Sequence, residues 1–210
     1  MIISRYGTNL IRIKPEHLEL IRYWRNSDKI RRVMEFTDFI TEKMQHNWFK
    51  ELHPLNDFYF VIEYKGVLVG LIHIAKIDWQ NRKAQSGLFI WEENFLGSPV
   101  PIMASLNLLD TFFNVFIINQ IEAKVKHDNF VALTYNKFLG FEENGTANNK
   151  DFIKVSLYKE KYYSIENDIK SYLDQPNNII QINDISQVLQ ELNASNQNIN
   201  TDVKDIEILS

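Results

Sequence analysis

The stretch FYFVIEYKGVLVGLIHIAKIDWQNRKAQSGLFIW, residues 58–91, decides the fold class because apolar residues alternate along it between short polar breaks. An alternation of period two is typical of strands that bury one face, and Lys65-Gly66 is a tight-turn sequence. The stretch therefore predicts an antiparallel meander with strands over residues 58–64, 67–77 and 84–91. Side chains alternate between the faces of a strand, so we expect Val69, Leu71 and His73 to share one face.

Helical patterns flank this meander on both sides. Upstream, a short strand over 10–13 precedes three predicted helices, which begin near Pro15, Asp28 and Thr41. Downstream, we predict helices over 99–116 and 129–139 and strands over 120–126 and 152–158. The strand–helix–strand order predicts a parallel crossover. The fold class is therefore α/β (α+β), with a mixed, mainly antiparallel central sheet flanked by helices.

Composition excludes several classes of function. The chain has 210 residues and no cysteine, which rules out disulfides, thiolate nucleophiles and cysteine zinc sites. The formal charge of -4 argues against a protein that binds the nucleic-acid backbone. Apolar runs fall short of the ~18 residues that suggest a membrane span, and the start shows no leader pattern. The histidines have no metal-ligand spacing, so we expect a cytoplasmic protein without a metal site.

Charge also divides the chain. Residues 165–210 contain eight acids and two bases and are rich in Asn and Gln, whereas the preceding part is nearly neutral. We therefore predict a domain over 1–163 and an acidic extension over 164–210. Apolar positions at helical spacing predict a short amphipathic helix over 184–193. Its stripe must dock on the domain, a second copy of the chain or another protein, and a chain ending at Leu173 is expected to fold.

Several motifs, in this order and on these elements, resemble the GNAT superfamily of acyl-CoA-dependent N-acyltransferases over about residues 8–160. They are IDWQNRKA (77–84) with GLFIW (87–91), and NFVA (129–132) with LGF (139–141). WRNSDKIR (24–31) and ITEKMQ (40–45) resemble the subgroup that acetylates amino-sugar nucleotides and the ribosomal-protein acetyltransferases. The resemblance implies acetyl-CoA as co-substrate and a small-molecule amine as acceptor.

The resemblance also implies where acetyl-CoA binds. Pantetheine would bond like an additional strand along the edge supplied by Phe89, Ile90 and Trp91, with Asn129 as a further contact or merely a helix cap. The pyrophosphate would meet backbone amides at the start of the helix over 99–116. The candidate amides are those of Gly97, Ser98, Val100, Ile102 and Met103.

This loop departs from the family pattern. Pro99 and Pro101 replace two glycines, and Leu96 stands where the family has arginine. Proline has no N–H, so two donors are lost. Either the loop is a variant that still binds acyl-CoA, or Ser98 and Pro99 simply begin a helix without a ligand.

Candidate catalytic residues follow from the resemblance in the same way. Asn136 stands where the family has the tyrosine beside the leaving thiolate. Tyr135 precedes this position by one residue, and a shift of one residue along a helix turns the side-chain direction by about 100°. Gln85 replaces the glutamate of the fourth strand and cannot accept a proton. The remaining candidates for general base are His73, Glu35 and His127.

Three functions remain open from the sequence. The first is N-acetylation of a small amine such as a nucleotide-linked amino sugar. A basic cluster of Arg25, Arg31 and Arg32 would contact the phosphate of such an acceptor, or the cluster is only a solvated helix face. The second is acetylation of a protein N-terminus. The third is a catalytically degenerate binding module, which the altered loop favours.

Overall fold

The computed structural model describes residues 1–146, 151–173, 179–197, 199–201 and 206–209. Its strands are β1 (Ile2–Arg5), β2 (Thr8–Arg12), β3 (Phe58–Tyr64), β4 (Val67–Asp78), β5 (Lys83–Ile90), β6 (Gln120–Lys126), β7 (Glu142–Thr146), β8 (Phe152–Tyr158), β9 (Ile180–Asn183) and β10 (Ile206–Leu209). They form one sheet in the order β10-β9-β1-β2-β3-β4-β5-β6-β8-β7. The pairs β5/β6 and β9/β10 are parallel and the others antiparallel, which confirms the predicted mixed sheet.

Helices cover both faces of the sheet. They are α1 (Leu18–Arg25), α2 (Asp28–Arg31), α3 (Glu42–Glu51), α4 (Val100–Asp110), α5 (Phe130–Phe138), α6 (Lys159–Lys170) and α7 (Ser186–Ala194). A π-helical segment, Thr111–Val115, extends α4, so the predicted helix over 99–116 changes type at its end. The larger apolar cluster lies between the sheet and α4, and a smaller one lies between the sheet and α1 to α3.

A β-bulge changes the predicted face of one residue on β4. The pairing of β3 with β4 shifts between Ile62, which pairs with Gly70, and Glu63, which pairs with Leu68. Val69 is therefore skipped. Val69 therefore lies in the larger cluster, while Leu71 lies in the smaller one. The expectation that both share a face is wrong, because a bulge adds one residue and reverses the alternation.

The parallel pair at the centre of the sheet is short. Pairing joins Lys83 to Gln120, Ala84 to Ile121 and Gln85 to Glu122, and no further pairs between β5 and β6 follow in the described chain. Both strands continue beyond these residues, so their edges diverge. This divergence is the feature that positions the site.

The predicted extension is joined to the domain by its described residues. β9 pairs with β1, and α7 lies where the sequence predicts the amphipathic helix. Val188 and Leu192 on α7 are buried in the larger cluster, so the stripe packs on the same chain, the first of the three docking partners considered. The division at 163/164 stays a prediction about independent folding, and residues 174–178, 198, 202–205 and 210 of the extension lie outside the described residues.

A buried acid links α6 to the start of the chain. Asp110 at the end of α4 is fully buried and accepts hydrogen bonds from the hydroxyls of Tyr6 and Tyr162, each at 2.6 Å. The guanidinium of Arg5 lies 2.6 Å from the same carboxylate, and the ammonium of Lys170 lies 3.3 Å from it. The network therefore joins β1, α4 and α6.

Across the described residues, no helix has the length and apolarity needed to span a membrane.

Candidate active site

The divergence of β5 from β6 opens a cleft of about 670 Å³. A strand edge that lacks a neighbour presents N–H and C=O groups that an extended amide chain can pair with. Leu88 and Ile90 belong to the cluster under α4, whereas Phe89 belongs to the cluster under α1 to α3. The cleft therefore passes between the two faces of the sheet, and a ligand could enter from each.

The β5 edge differs in register from the sequence prediction. The N–H of Trp91 donates to the carbonyl of Val69 at 3.0 Å, so it faces β4. The N–H and C=O groups of successive residues in a strand point to alternate sides. Those of Phe89 therefore also face β4, whereas those of Leu88 and Ile90 face the cleft. Phe89 lines the cleft with its side chain, and the indole of Trp91 donates to the carbonyl of Leu68 at 2.6 Å. The sequence analysis missed Leu88, which this alternation from Ile90 identifies.

Three of the five amides predicted to bind the pyrophosphate instead donate hydrogen bonds to neighbouring residues at the start of α4. The N–H of Ser98 donates to Phe95 at 3.2 Å and that of Met103 to Pro99 at 2.9 Å. The N–H of Val100 donates to the Ser98 hydroxyl at 3.3 Å. In the part of the chain that the structure describes, the amides of Gly97 and Ile102 form no hydrogen bond. The predicted pyrophosphate cradle is therefore narrowed to these two amides and the dipole of α4.

Tyr135 joins α5 to the first turns of α4. Its hydroxyl donates to the carbonyl of Pro101 at 2.7 Å and lies 2.7 Å from the hydroxyl of Ser105. Burial raises the pKa of Tyr135, so the phenol retains its proton. Tyr135 and Ser105 both line the cleft, but the proton that an acid would deliver is donated to Pro101.

Two asparagines on the same wall have local partners. Asn129 accepts from the N–H of Ala132 at 3.1 Å, which confirms its role as a helix cap. Asn136 donates from its amide to the carbonyl of Ala132 at 2.8 Å. Both side chains line the cleft, and their contacts with a co-substrate stay predictions.

A row of rings crosses the opposite wall, below α1 to α3. The ring of Tyr59 stacks on the imidazole of His73 at 4.6 Å and meets Trp48 edge-on at 5.0 Å. His73 pairs with Gly87 on β5, where an added Cβ would lie 2.6 Å from the imidazole Cε1. Gly87 therefore leaves the space in which the His73 ring lies.

The pKa of His73 is lowered to about 4, chiefly by burial; Asp57 opposes this shift, and Lys76 makes a smaller contribution in the same direction as burial. His73 is therefore neutral near pH 7 and able to accept a hydrogen bond. Its conjugate acid is too strong for efficient removal of a proton from an amine of ordinary pKa, about 10. The structure thus brings His73 into the cleft but makes it a weak base.

The other two candidate bases are placed differently. Both carboxylate oxygens of Glu35 lie 2.9 Å from the ammonium of Lys124 on β6, so the loop after α2 is tied across the cleft. His127 lies at the surface, 3.2 Å from the carbonyl of Asp151, and does not line the cleft. Of these two candidates, Glu35 lines the cleft and His127 does not.

The basic cluster separates into one cleft residue and two surface residues. Arg25 lines the cleft, while Arg31 pairs with Asp28 at 2.8 Å and Arg32 lies at the surface away from the cleft. Gln45, which the sequence analysis did not select, lines the same wall and is only 4% exposed. Its position in the first turns of α3 was readable from the sequence, but its burial was not.

The charge of the lining is positive. Among the described residues the lining has five basic side chains and two acidic ones, and one acid, Glu35, is already bonded to Lys124. The basic residues are Arg25, Lys76, Lys124, Lys126 and Lys154, and the acids are Glu35 and Glu122. An anionic ligand is favoured in such a cleft. No cluster of metal-ligating side chains occurs within the described ranges.

The family follows from a match that covers most of this architecture. The sequence profile described as "Acetyltransferase (GNAT) domain" matches residues 8–142, from β2 to the start of β7. The chain belongs to the GNAT acetyltransferase family. As a GNAT protein it is an acetyl-CoA-dependent N-acetyltransferase.

Similar proteins share this class. The chain is 26% identical over 128 residues to YdaF of Bacillus subtilis (strain 168), named as a ribosomal N-acetyltransferase; the match covers 61% of this chain and 69% of YdaF. A crystal structure of an acetyltransferase has a TM-score of 0.65 at 19% identity, over 81% of this chain and 92% of the other. A dodecameric spermidine N-acetyltransferase from Vibrio cholerae has a TM-score of 0.61 at 19% identity, over 75% and 97%. The structural likenesses show the fold.

The cleft fits the GNAT co-substrate in one part and departs in another. The unpaired edge at Leu88 and Ile90 is suited to an amide chain such as pantetheine. The start of α4 has lost two donors to Pro99 and Pro101 and others to internal hydrogen bonds. We therefore expect the acetyl-CoA phosphates to contribute less to binding in this GNAT protein than pantetheine does.

Proposed function

We propose that this GNAT protein transfers the acetyl group of acetyl-CoA to a primary amine on a nucleotide-linked amino sugar. The observation that carries the proposal is the positive lining of the cleft, together with the buried Nη1 of Arg25, which has no hydrogen-bond partner among the described residues. The phosphates of such an acceptor complement this charge, whereas a polyamine would add to it. The resemblance of residues 24–31 and 40–45 to enzymes for amino-sugar nucleotides supports the same choice.

The two faces of the cleft divide the binding tasks. Acetyl-CoA would enter from the side of α4, with pantetheine along Leu88 and Ile90 and its phosphates near Gly97 and Ile102. The acceptor would enter from the side of α1 to α3, where the ring of Tyr59 forms a wall. This arrangement brings the amine to the acetyl group in the gap between β5 and β6, and holding two reactants in place is itself a major part of catalysis.

The amine must lose a proton before it attacks. We propose that the proton leaves through water and that neutral His73 accepts a hydrogen bond from the amine or that water. Glu35 contributes by holding Lys124 and closing the loop over the acceptor rather than by taking the proton. For the leaving thiolate, the candidates remain Tyr135 and Asn136, whose present partners would have to be exchanged for the sulfur.

A second candidate acceptor is the N-terminus of a protein. The relative YdaF is named for ribosomal acetylation, which supports this alternative. An α-amino group has a pKa of about 8, so it demands less of a general base than a lysine-like amine does. The positive lining speaks against a basic peptide, which ribosomal proteins commonly present.

The experiment compares acceptors under one condition. The chain is incubated with acetyl-CoA and either a nucleoside-diphosphate-linked amino sugar, spermidine or an N-terminal peptide, and products are identified by mass spectrometry. We expect an acetylated amino sugar and little acetylspermidine. Acetylation of the peptide alone would support the second candidate, and efficient acetylation of spermidine would contradict the charge argument.

Cytoplasmic location and self-association through the extension are further parts of this proposal. The Vibrio cholerae neighbour is dodecameric, but in this chain the apolar stripe of α7 is covered by its own core. An assembly that uses the extension would therefore use the outer face of α7. Sedimentation of the chain at several concentrations tests it, and a single monomeric species would contradict it.

A further inference from the structure

Two buried donors in the cleft wall lack acceptors. Among the residues that the structure describes, neither Nη1 of Arg25 nor Nε2 of Gln45 has a hydrogen-bond partner, and both atoms are inaccessible to solvent. Leaving a buried donor without an acceptor is unfavourable, and more so when the donor is charged. Two such groups on one cleft wall point to a ligand that supplies the missing acceptors.

The fold holds these side chains in place. Arg25 is the last residue of α1, and the next residue, Asn26, bonds both backbone groups of Ile40, at 2.8 and 2.9 Å. Thr41 then caps α3, in whose first turns Gln45 lies. The clamp between Asn26 and Ile40 therefore brings the end of α1 to the start of α3. Arg25 and Gln45 therefore lie on helix ends that are held next to each other, while Nη1 of Arg25 and Nε2 of Gln45 have no partners among the described residues.

The neighbours of Arg25 leave its charge uncompensated. No carboxylate pairs with it in the described chain. The titratable group that acts electrostatically on Arg25 is Tyr59, and burial raises the pKa of that phenol to about 12, so it is neutral near pH 7. A guanidinium remains charged under all these conditions. The wall thus offers a fixed cation and a neutral amide donor.

We propose that Arg25 and Gln45 form the subsite that binds a phosphate group of the acceptor, and so select a nucleotide-linked amine over a free one. The proposal rests on the proposed function, since it names the part of the acceptor that the cleft binds. The planar fork of arginine matches two phosphate oxygens, and the Gln45 amide can donate to a third. The five basic lining residues favour the same anion.

Binding of a nucleotide with the co-substrate site filled isolates this subsite. Coenzyme A is kept saturating, so that it occupies the site between β5 and β6, and uridine diphosphate is titrated by calorimetry. The variants are Arg25→Gln, Arg25→Lys and Gln45→Glu, with Arg32→Gln as the matched control because Arg32 lies outside the cleft. Thermal melts establish that each variant is folded.

We expect Arg25→Gln to weaken the binding of uridine diphosphate at least tenfold, which is the scale of a lost charge-assisted hydrogen bond (about 1.4 kcal/mol per tenfold). Arg25→Lys keeps the positive charge and is expected to lose less affinity than Arg25→Gln. Gln45→Glu is expected to weaken binding further by repulsion, and Arg32→Gln to leave it unchanged. In kinetics, the acceptor KM rises while kcat and the KM of acetyl-CoA stay within about twofold, because lost uniform binding raises KM alone.

Two results would overturn the subsite. One is equal binding by native protein and Arg25→Gln, and the other is tighter binding by Gln45→Glu, which would mean that position 45 meets a donor. Failure of the proposed function has a different signature, namely no acetyl transfer to any nucleotide-linked amine by the native chain. Transfer that persists with an unchanged acceptor KM in Arg25→Gln contradicts the subsite alone.

Discussion

Replacing Asp110 with alanine should destabilise the chain more than any surface substitution, because its carboxylate lies under two cations and two phenols. Arg5 is 9% and Lys170 14% exposed in their side chains, so neither charge can turn freely into water. Breaking a buried ion pair by removing one partner costs about 3–5 kcal/mol. For a chain of this size each kcal/mol lowers Tm by about 2–4 °C, which gives a loss of about 6–20 °C.

Thermal and urea unfolding, followed by circular dichroism and tryptophan fluorescence, measure this loss. Asp168→Ala on the exposed side of α6 is the matched control and is expected to change the free energy of unfolding by less than about 0.5 kcal/mol. Lys170 also pairs with Glu166 at 2.6 Å, so Lys170→Met should cost less than Asp110→Ala, which removes the acceptor shared by the two phenols. A loss below about 1 kcal/mol for Asp110→Ala would refute the reasoning that the network holds α6 to the domain.

Further predictions concern the cleft and the extension. His73 has a lowered pKa of about 4, so as pH falls below 6.5 its imidazole binds a proton in the unfolded chain before it does in the folded one. The contribution of His73 to the free energy of unfolding is therefore fully present above pH 6.5 and is lost as pH falls toward 4. In urea titrations, His73→Gln should remove about 1 kcal/mol of the stability lost between pH 8 and 5.5. Gly87→Ala should displace the His73 ring, costing about 1–3 kcal/mol and lowering kcat in a thiol-release assay. Replacing Pro99 and Pro101 with glycine restores two amide donors and should tighten the binding of acetyl-CoA measured by calorimetry. A chain ending at Leu173 loses β9 and α7 and should unfold at much lower urea concentration than the full chain.

Each of these has a contradicting result. An identical pH dependence in native protein and His73→Gln would mean that the imidazole titrates normally. Unchanged melting and activity in Gly87→Ala would show that the strand gives way easily, and weaker acetyl-CoA binding by a folded glycine variant would mean that the prolines set a productive loop. Equal stability of the truncated chain would support the sequence-based boundary at 163/164.

The central elements of the fold were predictable because their signals are local. The alternation over 58–91 and the helical pattern after Thr41 each reflect burial on one face, and the structure has strands and a helix there. The face of Val69 was not predictable, since the bulge at Ile62 depends on how two strands pair. The strand Ile2–Arg5 was missed although it pairs with β2 across the two-residue turn at Tyr6 and Gly7, because four residues carry too short an alternation to be recognised.

The extension shows why composition is a weaker guide than packing. Its acids and amides predict a solvated tail, but Ile180, Ile182 and Ile185 among them are at most 1% exposed. Side chains of this kind each stabilise the folded chain by about 1.5–3 kcal/mol when buried. Sparse apolar residues at strand and helix spacing were enough to join the described part of the extension to the core.

The site was predictable in its location and less so in its atoms. The resemblance predicts pantetheine along the strand over 84–91, and the structure has a cleft where this strand diverges from β6; co-substrate binding there stays a prediction. It could not show that Trp91 turns its N–H toward β4, nor that the Tyr135 hydroxyl is bonded to Pro101. Gln45 escaped notice because an amide on a helix carries no chemical signature until its burial is known.

A crystal structure with coenzyme A and a nucleotide-linked amino sugar bound together tests the central claim most directly. It should show pantetheine amides bonded to the backbone of Leu88 and Ile90, and the acceptor on the side of α1 to α3 with its amine near His73 and a phosphate at Arg25. An acceptor bound on the side of α4, or pantetheine outside the gap between β5 and β6, would contradict the account.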